Sequence, residues 1–549
     1  MLNKPAEYTA TIKFNGMSCE FTDVLELPEF NAKLISDDER VRIRVVPAQE
    51  VEFEEIFIEA KLTVSPEDRV FMNGYQSWTD SREYSTSEKM RGINQIPMPL
   101  VRKYNFDKYG DYGFVGYSSR KGDFHGFSYG YIRRGDEYML MGSVSERSGF
   151  TVFELFSGRE KLRISRDCDG AVYGVPFDAL DIVTLTGTEE EVFDRWFALM
   201  EIDRPKAQPI FGYTSWYRHY QDISEIKLLH DLEAVAKSGV RQDIFQIDDG
   251  YQTAVGDWLS INKQKFPNGI ACISEAAHNS EMLSGLWLAP FVCERDSDIY
   301  RNKKDWLLKG PDGAPLPAGC NWSGSFVLDF YNEEVREYLR EVFRTVLHEW
   351  GFDMVKLDFL YAVCIRPQQG KSRGQIMCEA MDFLRECVGH KLLLGCGVPL
   401  MPAFGKCDYC RIGCDVGLSW NDNAVMQLTH RERVSTKNSM LNTVFRRQLD
   451  GRAFLNDPDV FLLRDDNISL YHCQKQSLAI INHVLGSVYF TSDDVSGYDD
   501  RQRRLLATAR RWSDARVLRA EWDKGEVKLT LSLRGRVKTI TLLPDGRLK

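Results

Sequence analysis

Lys356 and Asp358 stand two residues apart inside the apolar run MVKLDFLYA, residues 354–362. On an extended strand that spacing puts both side chains on one face. A cation there favours the ionised carboxylate, which suits a nucleophile. A purely structural ion pair is the competing account. Further on, KCDYCRIGCD (406–415) ends on Asp415, four residues after Arg411. Other short apolar runs end on acids as well: Asp248 with Asp249, Asp457, and Asp493 with Asp494. Carboxylates are costly to bury unpaired, so acids gathered at strand ends point to an acid-lined site. Some of them have a blander use, because aspartate also caps the helix that follows a strand. That use explains Asp358 poorly, since the chain stays apolar after it.

The runs that carry these acids number eight: IFGYTSW (210–216), IFQIDDGY (244–251), GLWLAPF (285–291), MVKLDFLY (354–361), KLLLGCG (391–397), CRIGCDV (410–416), AFLNDPD (453–459) and VYFTSDD (488–494). Each is apolar first and polar last. Helical stretches lie between several of them. SEIKLLHDLEAVAKSG (224–239) has a Ser to cap and a Gly to stop it, and NEEVREYLREVFRTVLHEWG (332–351) has acids in its first turn. Eight such units predict a central (β/α)8 TIM barrel, whose chemistry gathers at the C-terminal ends of its strands. SFVLDFYN (325–332) is read as part of a long loop, because eight strands close the ring.

Before residue 188 the pattern is different. EYTATIKF, VRIRVVPA, VEFEEIFIEAKLTV and GFSYGYIRR alternate or run apolar between turn residues, with almost no helical period. This predicts an N-terminal antiparallel β-sandwich over 1–190. A linking helix at 188–205 leads into the barrel over 191–500, and a small C-terminal antiparallel β-domain follows over 501–549.

The chain has 549 residues, 43% hydrophobic and 27% charged, with a net charge of −10. That balance argues against nucleic acid as a partner. The start lacks the apolar core of an export signal, and no run of about 18 apolar residues occurs. A cytoplasmic protein without membrane contact is therefore expected. Thirteen cysteines then read as free thiols. Cys407 and Cys410 have metal-like spacing, with Cys414 close by, but no second pair completes a zinc site. Neither a metal nor another cofactor is expected.

An acid-lined mouth with aromatics, and with no phosphate loop or dinucleotide fingerprint, leans toward glycoside chemistry. That chemistry uses two carboxyl groups, one to protonate the leaving oxygen and one to attack the sugar or activate water. Position alone leaves open which two. At this point FQIDDGYQ, DWL, GLWLAPF, VKLDFLYA, LGCGVPL, RIGCD and NDPD, taken in this order, resemble the compact bacterial α-galactosidases of glycoside hydrolase family 36. The likeness is strong over about 205–495 and looser at both ends. It implies that Asp358 is the nucleophile and that Asp415, closing R-x-x-x-D, is the acid/base of a retaining double displacement. It further implies that Asp248 and Asp249 accept from the 4- and 6-hydroxyls of galactose, with Trp287, Lys356 and Arg411 around the ring. Cys396 and Gly397 would line the pocket near C2. Trp216 at the end of the first run and Trp258 of DWL join the substrate-contacting set. Trp78 of NGYQSW either reaches the barrel mouth or sits at a domain surface.

The expected substrates are terminal α-galactosides of the melibiose and raffinose type, and a homo-oligomer is possible by the same likeness. Small residues at Gly397 and Gly413 keep an α-N-acetylgalactosaminidase open, and a transglycosylase of the same mechanism stays open too. Two readings come from other classes. A metal-dependent proton abstraction needs three carboxylate ligands on successive strands, whereas the fifth run ends on Cys396. A sugar-binding relative without activity would have lost one of the two acids, and both are present.

Overall fold

The structure is a computed structural model that describes residues 2–93, 96–421, 427 and 430–549. Two antiparallel sheets make up the N-terminal part. A six-stranded sheet is ordered Asp123–Phe127, Thr151–Phe156, Lys161–Arg166, Glu55–Lys61, Tyr8–Phe14, Met17–Phe21. An eight-stranded sheet faces it, with Arg40–Pro47, Phe177–Gly187, Glu137–Ser143 and Tyr129–Arg134 at its centre. The alternation in RVRIRVVP does what period two requires: Val41, Ile43 and Val45 are buried while Arg40, Arg42 and Arg44 face outward. Helix Met98–Tyr104, which strand periodicity gave no reason to expect, carries Val101 into a small cluster with Ile93 and Ile96.

Helix Glu189–Leu199 links the sandwich to the barrel. Thr188 and Glu191 close a capping box at its start, and Phe193 and Trp196 pack inward. Eight parallel strands then form one sheet: Ile210–Thr214, Ile244–Ile247, Leu283–Leu288, Met354–Leu357, Leu392–Gly395, Tyr409–Arg411, Leu455–Asp457 and Val488–Thr491. The first pairs with the eighth, and each other strand pairs with the next as far as the seventh. The remaining seam is bridged where Ser487 N–H donates to Asn456 O at 2.9 Å and Phe461 N–H to Phe490 O at 2.9 Å. All eight predicted runs are thus barrel strands. The segment at 325–332 lies in a loop, as expected, where Ser325–Val327 pairs with Val292–Glu294 and Pro317–Gly319 in a small antiparallel excursion.

Helix Asp500–Trp512 follows the eighth strand and contributes Leu505, Leu506 and Ala509 to the core shared with the barrel. A three-stranded antiparallel sheet, Ala515–Asp523, Glu526–Leu533 and Arg536–Leu542, closes the chain. No helix among the described residues is long and apolar enough to cross a membrane.

Candidate active site

The C-terminal ends of the barrel strands open into a cavity of about 300 Å³, at the small end of ligand pockets. Asp248, Asp249, Trp287, Lys356, Asp358, Arg411 and Asp415 all line it, as do Trp216 and Trp78. Eight of these nine stand at or just past the ends of the first, second, third, fourth and sixth strands. Register explains much of this. The third and fourth strands pair Trp287 with Lys356, and Asp358 N–H extends the ladder by donating to Leu288 O at 2.8 Å.

Asp358 is nearly buried, 8% exposed. Its Oδ2 accepts from Trp287 Nε1 at 3.1 Å, and its Oδ1 from Phe359 N–H at 2.9 Å. Phe359 itself adopts φ +55°, a left-handed conformation uncommon outside glycine. Burial raises the Asp358 carboxyl above the ordinary aspartate range. Lys356 opposes that rise, and the charge of Asp415 adds to it.

Lys356, however, does not bond Asp358. Its Nζ sits 2.8 Å from Asp248 Oδ2; burial works to lower the lysine, but Asp248, with Asp358 and Cys396 behind it, brings it above the ordinary range. The strand spacing correctly put cation and acid on one face, but the partner came from the second strand. Its influence on Asp358 is that of a neighbouring charge. Asp248 is further held by Gln246 Nε2 at 3.2 Å and by Asp249 N–H at 3.0 Å.

Asp249 accepts from Gln221 at 2.7 Å, Gln252 at 2.5 Å and Trp322 Nε1 at 2.9 Å. Burial raises its carboxyl against these three donors. Arg411 is the busiest cation. It reaches Asp415 at 2.8 Å, Asp457 at 3.2 Å and Asp459 at 2.9 Å. Asp457 and Asp459 are buried, whereas the Asp415 side chain is 42% exposed and faces the cavity. Asp459 is pushed up to about 7 by burial; Arg411 pulls it down, and the Asp415 and Asp457 charges add to the rise.

Three expected contacts fall outside the cavity lining. Trp258 is fully buried and packs edge-to-face on Trp287, ring centroids 5.7 Å apart, so it supports the wall from behind. Cys396 is fully buried and accepts from Trp78 Nε1 at 3.3 Å. Gly397 is covered by Trp78, whose ring lies 2.8 Å from where a Cβ would stand. Gly413 is likewise packed against Asn442. At both glycines a neighbouring side chain thus crowds the position a Cβ would take. Trp78 itself is settled at the mouth, edge-on to Phe359 at 5.1 Å and to Tyr361 at 5.7 Å.

The remaining strand-end acids divide cleanly. Asp493 is buried and accepts from the Leu463 and Arg464 N–H groups and from Tyr498. Asp494 caps the turn at Val495–Gly497. Several lining residues escaped the sequence reading: Tyr217, Trp322, Asn321, Phe359, Tyr109 and Glu432. Trp322 lies in the Gly/Ser-rich CNWSGS, whose loop composition was the one available signal. Among the described residues no group of three or more His, Cys, Asp or Glu could hold a metal.

The pattern of the Melibiase family matches residues 199–379, from the linking helix through the fourth strand. An α-galactosidase of Geobacillus stearothermophilus is 29% identical over 162 residues, 28% of this chain and 21% of that protein. One of Lactobacillus acidophilus is 28% identical over 188 residues, 32% of this chain and 25% of that protein. The match to these curated relatives thus spans a quarter or less of their length. Agreement in fold is far wider. An α-galactosidase from Thermus thermophilus, solved with p-nitrophenyl α-D-galactopyranoside, has TM-score 0.72 and 26% identity, covering 98% of this chain and 99% of that one. The same enzyme solved with stachyose gives 0.69 and 27%, covering 91% and 99%. In sequence over the first half of its barrel and in architecture from end to end, the chain is similar to the family 36 α-galactosidases.

Proposed function

We propose that the chain is a retaining, exo-acting α-galactosidase that releases terminal α-galactose from oligosaccharides of the melibiose, raffinose and stachyose type. The observation that carries this reading is the contrast between two acids of one cavity. Asp358 is nearly buried, fixed by Trp287 and its own strand end; Asp415 is half-open to solvent and tied to Arg411. A fixed, enclosed carboxylate suits attack on the anomeric carbon. An accessible one suits giving a proton to the leaving oxygen and then taking one from water. In the first step the Asp358 oxygen bonds C1 while the glycosidic bond breaks and Asp415 protonates the departing alcohol. In the second, Asp415 accepts a proton from water as that water displaces Asp358.

The acids across the cavity supply recognition. Asp248 and Asp249 keep free acceptor positions beside their internal donors, suited to the 4- and 6-hydroxyls. A fixed acceptor for an axial hydroxyl rejects the epimer that points it elsewhere. The Thermus enzyme was solved with an α-galactoside and with stachyose, which supports the substrate class. Trp78 and Asn442 packed against Gly397 and Gly413, which stay out of the cavity lining, support galactose over its N-acetylamino analogue. Assay of p-nitrophenyl α-galactoside beside the N-acetylgalactosaminide tests the reading. Turnover of the first, with the product's first-formed anomer α by NMR, is the expected result. No turnover of the galactoside removes the function, and a β first product removes retention.

A further inference from the structure

The cavity has an outer half unlike its inner one. Trp78, Ile93, Phe106, Tyr109 and Val434 give it an apolar wall. Among the described residues lining that half, the one carboxyl group is Glu432, on the segment after the sixth strand. Its Oε2 accepts from Tyr112 Oη at 2.5 Å and its Oε1 from Thr79 Oγ1 at 3.0 Å, both donors belonging to the sandwich. Burial pushes this carboxyl up to about 7; Asp111 adds to the rise, and Arg431, Tyr112 and Thr79 oppose it. A carboxylate offers about four acceptor positions, so two internal donors leave room for a ligand hydroxyl. A single fixed acceptor on an aromatic wall is a means of holding a ring by its face while orienting one polar edge.

We infer that Glu432 accepts a hydrogen bond from a hydroxyl of the leaving-group sugar and so sets the preference for a carbohydrate over an aryl leaving group. The inference rests on the α-galactosidase reading of the inner half. Glu432 is a specificity determinant and takes no part in either step at C1. Its rival role is a plain clamp between sandwich and barrel, since Gly110 also packs against the carboxyl carbon.

The test compares kcat/KM for melibiose and for p-nitrophenyl α-galactoside in the wild type, Glu432→Gln, Glu432→Asp and Tyr112→Phe. Losing the charged acceptor in Glu432→Gln should lower the melibiose-to-aryl ratio by at least about fivefold, through KM for melibiose. Glu432→Asp, which withdraws the carboxylate by one methylene, should lower it too and serves if the Gln variant does not fold. Tyr112→Phe weakens the clamp but leaves the carboxylate, so its ratio should stay within about twofold of wild type. An unchanged ratio in the Glu432 variants, or an equal fall in Tyr112→Phe, overturns the inference and leaves the enzymatic reading intact. A wild type that turns over neither substrate overturns both.

Discussion

The two halves of the cavity are made by different means. The inner half is built from strand ends of one sheet, and its acids are held by charge: Lys356 on Asp248, and Arg411 on Asp415, Asp457 and Asp459. The outer half is assembled from loops, with aromatic rings and neutral donors brought in from the sandwich. Charge pairs deep in a protein resist rearrangement because an unpaired buried charge is so costly. Rings on loops tolerate exchange far better. On the proposed reading, the contrast makes chemistry and choice of leaving group separable, one fixed by the barrel and the other adjustable from the sandwich.

The sharpest way to break that comparison is at Asp358. Replacing it with Gly should cut kcat/KM on an aryl α-galactoside by at least about a thousandfold, with partial recovery in azide. Residual activity near wild type would move the nucleophile elsewhere. Removing the inner half's shared cation comes next. Arg411→Met strands two buried carboxylates, and unfolding measurements should show a loss of about 3–5 kcal/mol. A loss under about 1 kcal/mol would mean that water reaches these acids. The outer half should answer more gently. Trp78→Ala should raise KM for oligosaccharides about tenfold with kcat little altered, since stacking contributes on the order of 1 kcal/mol beyond area. A collapse of kcat instead would tie the sandwich to the chemistry.

A smaller effect concerns pH. The charge of Asp415 helps hold Asp358 above the ordinary range. Activity should therefore rise as pH climbs through the Asp358 titration. Asp415→Asn removes one cause of the rise, so its acid limb should move to lower pH on a substrate whose leaving group needs no proton. An acid limb that moves upward would contradict the coupling. Finally, a chelator should leave wild-type rates within about 10%, since no Lewis acid enters either step.

The inner half was legible in the sequence because short apolar strands ending on acids leave a direct trace. Asp248, Asp249, Asp358 and Asp415 fall at predicted strand ends and share one cavity. Which acid Lys356 would meet was not legible, because pairing across strands depends on register that no single segment encodes. Trp258 was misjudged for a related reason. An indole beside a strand looks the same in sequence whether it faces a ligand or another indole. The outer half was the least readable. Trp322, Tyr109 and Glu432 come from irregular segments far apart in the chain, and loops have no periodicity to betray what they face.

One backbone angle has a bearing on how this chain can change. Phe359 pays for its left-handed turn, and glycine in its place would relieve about 1 kcal/mol of conformational penalty. Yet the same ring supports both Trp78 and Trp322, at 5.1 and 4.9 Å. Phe359→Gly would also empty a buried core position, a loss of about 3–5 kcal/mol that far exceeds the backbone relief, and would leave both indoles without their shared support. Stability and a well-shaped mouth therefore both hold an aromatic ring at this position beside Asp358, and the strained backbone persists because the packing around it outweighs its cost.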